Sequence, residues 1–217
     1  MALPPAPDPR PFRYLAGDPS LDLVNTVDWT PAGPAHERLV DYPALVTWAE
    51  GAGLLDAADS ARLIRRSASR RAEATRAHAE ALRLRELIRG VSLGVIRGTV
   101  EPALLDRLNG VVRSALNHRR LEPAPRRGNA LLSWKWLSQG EALEAPLWPA
   151  VLAAAILLSS PDAERIRVCE GPACGWMYVD RSRNGLRRWC AMDMCGGREK
   201  ARRHYARVKA RREEEAR

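Results

Sequence analysis

Cysteine is absent from most of this 217-residue chain. All four cysteines lie within 27 residues near the C-terminus. This distribution argues against ordinary core use, because buried thiols that act as small hydrophobes would be scattered along the sequence. The chain also lacks a C-x-x-C motif, which is the usual signature of a thiol–disulfide redox site.

Long apolar segments are missing as well. The longest one, Leu147 to Leu158, contains Pro149 and falls short of the roughly 18 residues that a membrane span requires. The N-terminus has no basic region followed by an apolar stretch, so we expect no secretory signal. We therefore expect a cytoplasmic protein with no membrane partner. Its thiols would stay reduced, which disfavours disulfides.

No catalytic constellation emerges from the sequence. There is no glycine-rich phosphate loop and no G-x-S-x-G motif. The four histidines are dispersed: His36, His78, His118 and His204. We therefore predict that the protein is not an enzyme, and an active-site pocket in the N-terminal region is the weakest alternative.

The cysteines that are present form two pairs with the same spacing. Cys169 and Cys174 make one C-x4-C, Cys190 and Cys195 make the other, and 15 residues separate them. Four thiolates on two short turns are the donor set of a tetrahedral Zn²⁺ site, so we predict one structural zinc ion. His204 could replace a cysteine as ligand, but four thiolates already close a structural site, and we expect this imidazole to contact phosphate or solvent.

The segments around the cysteines predict a small hairpin followed by a helix. Residues 165–168 and 176–180 have the character of short strands, with the first cysteine pair at the tip between them. After Gly197 the chain has no glycine or proline and is rich in helix formers. We expect Tyr205 and Val208 to pack this helix against the hairpin.

Positive charge is concentrated in the same region. Residues 165–212 hold 14 Lys/Arg and 4 Asp/Glu, whereas the rest of the chain is nearly balanced. A basic helix beside a small zinc module is typical of nucleic-acid binders, although a basic run can also be a solvated face. Three consecutive glutamates from Glu213 would repel phosphates, so contact should use the first three helical turns. The predicted DNA-contacting residues are Arg198, Lys200, Arg202, Arg203, Arg207 and Lys209.

Hydrophobic periodicity predicts a mainly helical N-terminal region. Pro102 is expected to begin one of its helices, with Leu104, Leu105 and Leu108 among the inward residues. The predicted helical segments are 42–52, 57–67, 71–93, a segment from Pro102 to about Ala115, and 147–160.

One segment breaks the helical pattern. Leu132, Trp134 and Trp136 alternate with polar residues, and a turn signal at 126–129 precedes them, so we predict a hairpin. The alternation favours a buried sheet face. The alternative is that the tryptophans stack on nucleic-acid bases.

The stretch from Leu21 to Val27 is compatible with a strand or with the first turns of a helix. We interpret Asp22 and Asn25 in this stretch as holding the backbone of a turn, which short polar side chains commonly do. The alternative is that they line a small-molecule pocket.

Residues 168–207 resemble the CGNR-type zinc finger of bacterial proteins described as stress-induced transcriptional regulators. Gly197 stands where that family has asparagine, so any recognition role of that amide is lost here. The N-terminal stretch Gly17–Thr26, together with Leu45, Trp48, Ala49 and Gly53-Leu54, is similar to the ABATE domain of the same family. The residues that match the finger motif are Cys169, Cys174, Asp180, Ser182, Trp189, Cys190, Cys195, Gly196, Arg198, Lys200 and Tyr205.

Together these observations predict an α+β protein. Residues 1–160 would form a mainly helical, ABATE-like domain with a small β-hairpin, and residues 161–217 a treble-clef-like zinc finger with a basic C-terminal helix. The resemblance implies a zinc-dependent, DNA-binding transcriptional regulator involved in stress response. The N-terminal domain would sense a small-molecule effector or form a homodimer. The alternative is a zinc-stapled adaptor for an acidic protein or RNA, because each of these partners attracts a basic face.

Overall fold

The computed structural model describes residues 12–30, 33–124, 131–172 and 174–215. The turn predicted at 126–129 lies outside these residues. The described part is mostly helical, with short antiparallel strand pairs, as the sequence predicted. The helices are α1 (Pro19–Val24), α2 (Tyr42–Gly51), α3 (Ala57–Ser69), α4 (Arg71–Arg97), α5 (Pro102–Leu116), α6 (Leu147–Leu158) and α7 (Gly197–Glu215). The strands are β1 (Val27–Thr30), β2 (Gly33–Glu37), β3 (Arg119–Pro123), β4 (Leu132–Trp136), β5 (Ile166–Val168) and β6 (Met177–Val179).

Short polar residues and prolines set the helix starts. Asp18 accepts a hydrogen bond from the Ser20 amide (2.9 Å) at the start of α1, and Asp41 accepts one from the Ala44 amide (2.8 Å) at the start of α2. Pro102 occupies the first position of α5, where its missing N–H costs nothing. These local signals explain why the sequence placed most helices to within a few residues.

The main core is built around α6, which packs against α1, α4 and α5. This helix is apolar on nearly all sides, as expected for a central element. Three buried residues of the C-terminal hairpin, Ile166, Met177 and Val179, belong to the same core cluster. The hairpin that carries the first cysteine pair is therefore packed into the helical body, mainly against α1 and α4.

The strands pair only locally. The structure contains three two-stranded antiparallel sheets within the described residues: β1–β2, β3–β4 and β5–β6. In the second sheet Leu121 faces Trp134 across the strands. The predicted hairpin is present, with β3 as its first strand.

The predicted burial of this hairpin is wrong. Leu132 is 56% exposed and Trp134 is 55% exposed, so the alternating face is not a core face. Only Trp136 turns partly inward, where its ring lies 6.2 Å from that of Trp148. The reason is that β3 and β4 make their extensive contacts with each other, whereas contact with α6 is made at the Trp136 end of the hairpin.

The prediction that Leu105 of α5 points inward is also wrong. Leu105 is 45% exposed, whereas Leu108 and Ala115 are buried. Successive helical residues are about 100° apart, so Leu105 lies off the stripe that Leu104 and Leu108 share. None of the described helices combines the length and apolar character needed to cross a bilayer.

Candidate metal centre and basic helix

The fold brings the four cysteines to one point. Cys169 follows β5, Cys174 precedes β6, Cys190 ends a loop, and Cys195 lies in a π-helical turn, Met192–Gly196. All four are buried, and their Sγ atoms lie within 4.8 Å of one another.

The spacing of the sulfur atoms fits a single ion. The Cys174–Cys190 and Cys190–Cys195 Sγ distances are both 3.6 Å. Four sulfurs at 2.3 Å from a tetrahedral Zn²⁺ would be about 3.8 Å apart. The donors therefore form a metal-sized cage of soft ligands. His204 is not part of this group and lies exposed on α7.

The free thiols are electrostatically unequal. Hydrogen bonds from the thiols of Cys174 and Cys190 lower the pKa of Cys169 to about 7. Hydrogen bonds from the other three thiols, with a smaller contribution from Arg198, lower the pKa of Cys195. The pKa values of Cys174 and Cys190 are raised, first by their hydrogen bonds to Cys169. A metal ion bound by all four sulfurs would displace their remaining protons.

The first cysteine turn is bonded to the N-terminal strand β1. The Trp29 amide donates to the Cys174 carbonyl (3.0 Å), and the Trp176 indole donates to the Val27 carbonyl (3.1 Å). Gly175, between them, has φ +60°, and a Cβ at this position would lie 2.2 Å from the Trp29 carbonyl oxygen. Only glycine fits this close backbone approach.

An arginine of α4 contacts both the cysteine turn and Trp29. The Arg89 guanidinium donates to the Gly175 carbonyl (3.0 Å) and lies 4.2 Å from the centre of the Trp29 ring. The sequence alone does not mark Trp29, Trp176 and Arg89 as supports of the cysteine turn. No local pattern links these residues, because they lie in three distant parts of the chain.

Asp22 and Asn25 hold backbone groups, as we interpreted them, but only one of them acts locally. Asp22 accepts a hydrogen bond from the Ala16 amide (2.9 Å). Asn25 instead bonds the backbone of Met177, which is 152 residues away. The helix α1 therefore supports the finger strand β6 directly.

The loop before the second cysteine pair is organised by Asp180. This carboxylate accepts hydrogen bonds from the Ser182 amide (2.9 Å) and hydroxyl (2.6 Å) and from the Arg187 amide (3.0 Å). The Tyr178 hydroxyl donates to the Arg187 carbonyl (2.6 Å). These bonds give structural roles to the matching Asp180 and Ser182 of the motif.

Helix α7 begins at Gly197, two residues after the last cysteine. Its extensive contacts are with the π-helical turn before it. Tyr205 is 72% exposed and Val208 is half-buried, so the prediction that they pack against the hairpin is wrong. The helix is too polar beyond its first turn to offer the hairpin an apolar stripe.

The six predicted DNA-contacting residues are all exposed on α7, but they differ in their partners. Arg202 and Arg203 both bond the carboxylate of Glu199, at 2.8 and 2.9 Å. Arg198 donates to the Sγ atom of Cys195 at 2.9 Å. The remaining three have weaker side-chain contacts. Lys200 has no side-chain partner among the described residues. The Arg207 Nε atom lies 3.4 Å from the Arg203 carbonyl oxygen, and Lys209 Nζ lies 3.7 Å from Glu213 Oε1.

Two family models match the chain, one after the other. Residues 17–161 match the ABATE family, whose description is "Putative stress-induced transcription regulator". Residues 165–208 match the CGNR zinc finger. No curated protein matches the chain.

Proposed function

Because this chain belongs to the ABATE family and ends in a CGNR zinc finger, we propose that it is a zinc-dependent regulator of transcription that binds DNA through α7. The observation that carries the proposal is the direct continuation of the metal cage into a basic, exposed helix. The metal would fix the start of the helix, and the helix would present its cations to the phosphates.

Zinc is the ion that best suits the cage. Cysteine sulfurs are soft ligands, and four buried ones within 4.8 Å of one another suit a structural zinc site, which has no open position for a substrate. Cys169, Cys174, Cys190 and Cys195 would hold one ion. Binding at such a site contributes on the order of 10–16 kcal/mol to the folded state.

The charge on α7 supports a polyanionic partner. From Arg198 to Arg212 the helix carries eight Lys/Arg and a single acidic residue, Glu199. Glu213, Glu214 and Glu215 follow, so phosphate contacts would lie N-terminal to them. Arginines on the same turns could reach guanine edges if the helix enters the major groove.

Salt dependence of binding tests the proposal. We would load the full chain with zinc, select bound fragments from random duplex DNA, and measure their affinity against salt concentration. Neutralising about five phosphates gives a log–log slope of about −4 to −5. A flat salt response, or no binding to any duplex, would overturn DNA recognition.

A charge-matched pair of variants locates the contact. Replacing Lys200, Arg207 and Lys209 by alanine should reduce the magnitude of the slope by about 2 to 3. The control replaces three exposed arginines of the helical body by alanine and changes the net charge equally: Arg65, Arg76 and Arg107. Equal losses in the two variants would show that only overall charge matters.

A protein-binding adaptor is the second candidate, and the β3–β4 hairpin favours it. Leu121, Leu132 and Trp134 are each more than half exposed on this hairpin. Exposed apolar residues that cluster on one element are typical of protein contacts. Under this alternative, an acidic protein should compete with DNA of defined sequence, and substitution of Trp134 by serine should weaken protein binding and leave DNA affinity unchanged.

A further inference from the structure

Arg198 is placed differently from the other cations of α7. It is the second residue of the helix, three positions after Cys195, and its guanidinium Nη2 lies 2.9 Å from the Cys195 Sγ atom. Arg202 and Arg203, one turn further on, bond a carboxylate instead. Among the described contacts of the α7 cations, the one made by Arg198 is with a candidate metal ligand.

The charge of the site explains what this contact would do. Four thiolates around one Zn²⁺ carry a formal charge of −2, in a buried cluster. A guanidinium N–H that points at one sulfur offsets part of this charge and withdraws electron density from that sulfur. Hydrogen bonds to metal ligands orient them and tune their affinity, and their loss typically costs 10- to 100-fold in metal binding.

We infer that Arg198 is a positioning residue of the metal centre, which holds Cys195 in its ligating orientation and ties the first turn of α7 to the site. The inference rests on the metal-binding part of the proposed function and is independent of DNA recognition. It removes Arg198 from the predicted DNA contacts and gives it a role inside the finger.

The surroundings of Arg198 agree with this role. Helix α7 makes its extensive contacts with the π-helical turn that contains Cys195. Glu199, the next residue, is only 8% exposed, and its carboxylate accepts hydrogen bonds from Arg202 and Arg203. The Arg198–Cys195 bond is therefore a direct side-chain link between the helix and the cage.

Metal binding by the full chain provides the test. Wild type, Arg198→Ala, Arg198→Lys and Arg202→Ala would be loaded with Co²⁺, whose thiolate charge-transfer bands report the sulfur ligands. Zinc affinity would be measured by competition with a chromophoric chelator. Arg202→Ala is the matched control, because it removes an arginine of the same helix that bonds no sulfur.

We expect Arg198→Ala to bind zinc about 10- to 100-fold more weakly and to shift the charge-transfer bands, while Arg202→Ala resembles wild type. Arg198→Lys should show an intermediate loss, because an ammonium can offer one donor to the sulfur. Circular dichroism would check that each variant is folded. If Arg198→Ala does not fold, Arg198→Lys still tests the inference.

Two results with the variants would overturn the inference. Wild-type metal affinity and spectra in both Arg198 variants would show that the contact has no effect on the site. Equal losses in Arg198→Ala and Arg202→Ala would show a general effect of helix charge. Failure of the wild-type chain itself to bind metal would refute the zinc proposal as well, and this is visible before any variant is made.

Discussion

Asn25 and Met177 form a reciprocal pair of hydrogen bonds. The Met177 amide donates to Asn25 Oδ1, and Asn25 Nδ2 donates to the Met177 carbonyl, both at 2.8 Å. Both residues are buried. The side-chain amide therefore acts as a short additional strand along β6, and it satisfies two backbone groups that water cannot reach. This pair joins α1 to the finger hairpin.

Replacement of Asn25 by alanine should destabilise the whole chain. It leaves the Met177 N–H and C=O buried without partners, which costs about 2–4 kcal/mol in the free energy of unfolding. Chemical denaturation would measure the loss. The control is Asn109→Ala at an exposed position of α5, which should be neutral or slightly stabilising. Similar stability of the two variants would contradict the role of Asn25.

Gly175→Ala should be more damaging than another glycine substitution with the same backbone penalty. Gly175 and Gly53 both have positive φ, +60° and +72°, but only Gly175 faces a close neighbour, the Trp29 carbonyl. Gly53→Ala should cost about 1–2 kcal/mol for the left-handed conformation. Gly175→Ala should cost about 1–3 kcal/mol more, because the contact with β1 must open.

Thermal unfolding of the two glycine variants is the measurement. Equal shifts in Tm would mean that the turn and β1 are not held together as tightly as the contact indicates. Zinc affinity of Gly175→Ala should also fall, because the displaced turn carries Cys174.

Asp22 should make stability depend on pH. Burial, with a smaller effect of the Asp18 carboxylate, raises the pKa of Asp22 to about 7 in the folded protein. Since this value lies above that of the unfolded chain, the group favours folding at low pH, and the benefit is lost as pH rises from about 4 to about 7. Between about pH 5.5 and about pH 8, wild type should lose about 2 kcal/mol relative to Asp22→Asn.

The test compares urea denaturation of wild type and Asp22→Asn across this pH range. The amide of the variant can still accept the Ala16 hydrogen bond, so the pH-dependent part is isolated. Asp106→Asn, at an exposed site on α5, provides the matched substitution. A constant difference between wild type and Asp22→Asn would disprove the prediction.

Removal of zinc should destabilise more than the finger. The hairpin next to the cage contributes Ile166, Met177 and Val179 to the main core, so loss of the metal would be transmitted to the helical body. We expect chelation, or Cys190→Ser, to lower Tm and to abolish stoichiometric zinc. The control is Met192→Ser, at an exposed side chain in the same turn. An unchanged Tm in metal-free protein would contradict this coupling.

The sequence predicted the fold class, the family and most of the helices, and the structure and the family models confirm them. These features have local signals: the cysteine spacing, the caps and prolines of the helices, and the composition of α7. The structure also brings together the four cysteines that the spacing selected.

The wrong predictions concern which side chains are buried, because burial depends on elements that are distant in the sequence. Trp134 alternates with polar neighbours as a residue of a core strand would, but its side chain is 55% exposed. The helical pattern of α7 predicts that Tyr205 packs on the hairpin, but its side chain is 72% exposed. The role of Asn25 could not be predicted either, because its partner lies 152 residues later in the chain.

That distance has a consequence for biosynthesis. A ribosome synthesises α1 long before β6, so the nascent helical body lacks the backbone partner of Asn25 and the core side chains of Met177 and Val179. The last quarter of the polypeptide would then supply the hydrogen-bond partners and apolar side chains that the first quarter lacks. Translation stalled before the finger should leave a loosely packed intermediate, which is the stage most exposed to chaperones and proteases.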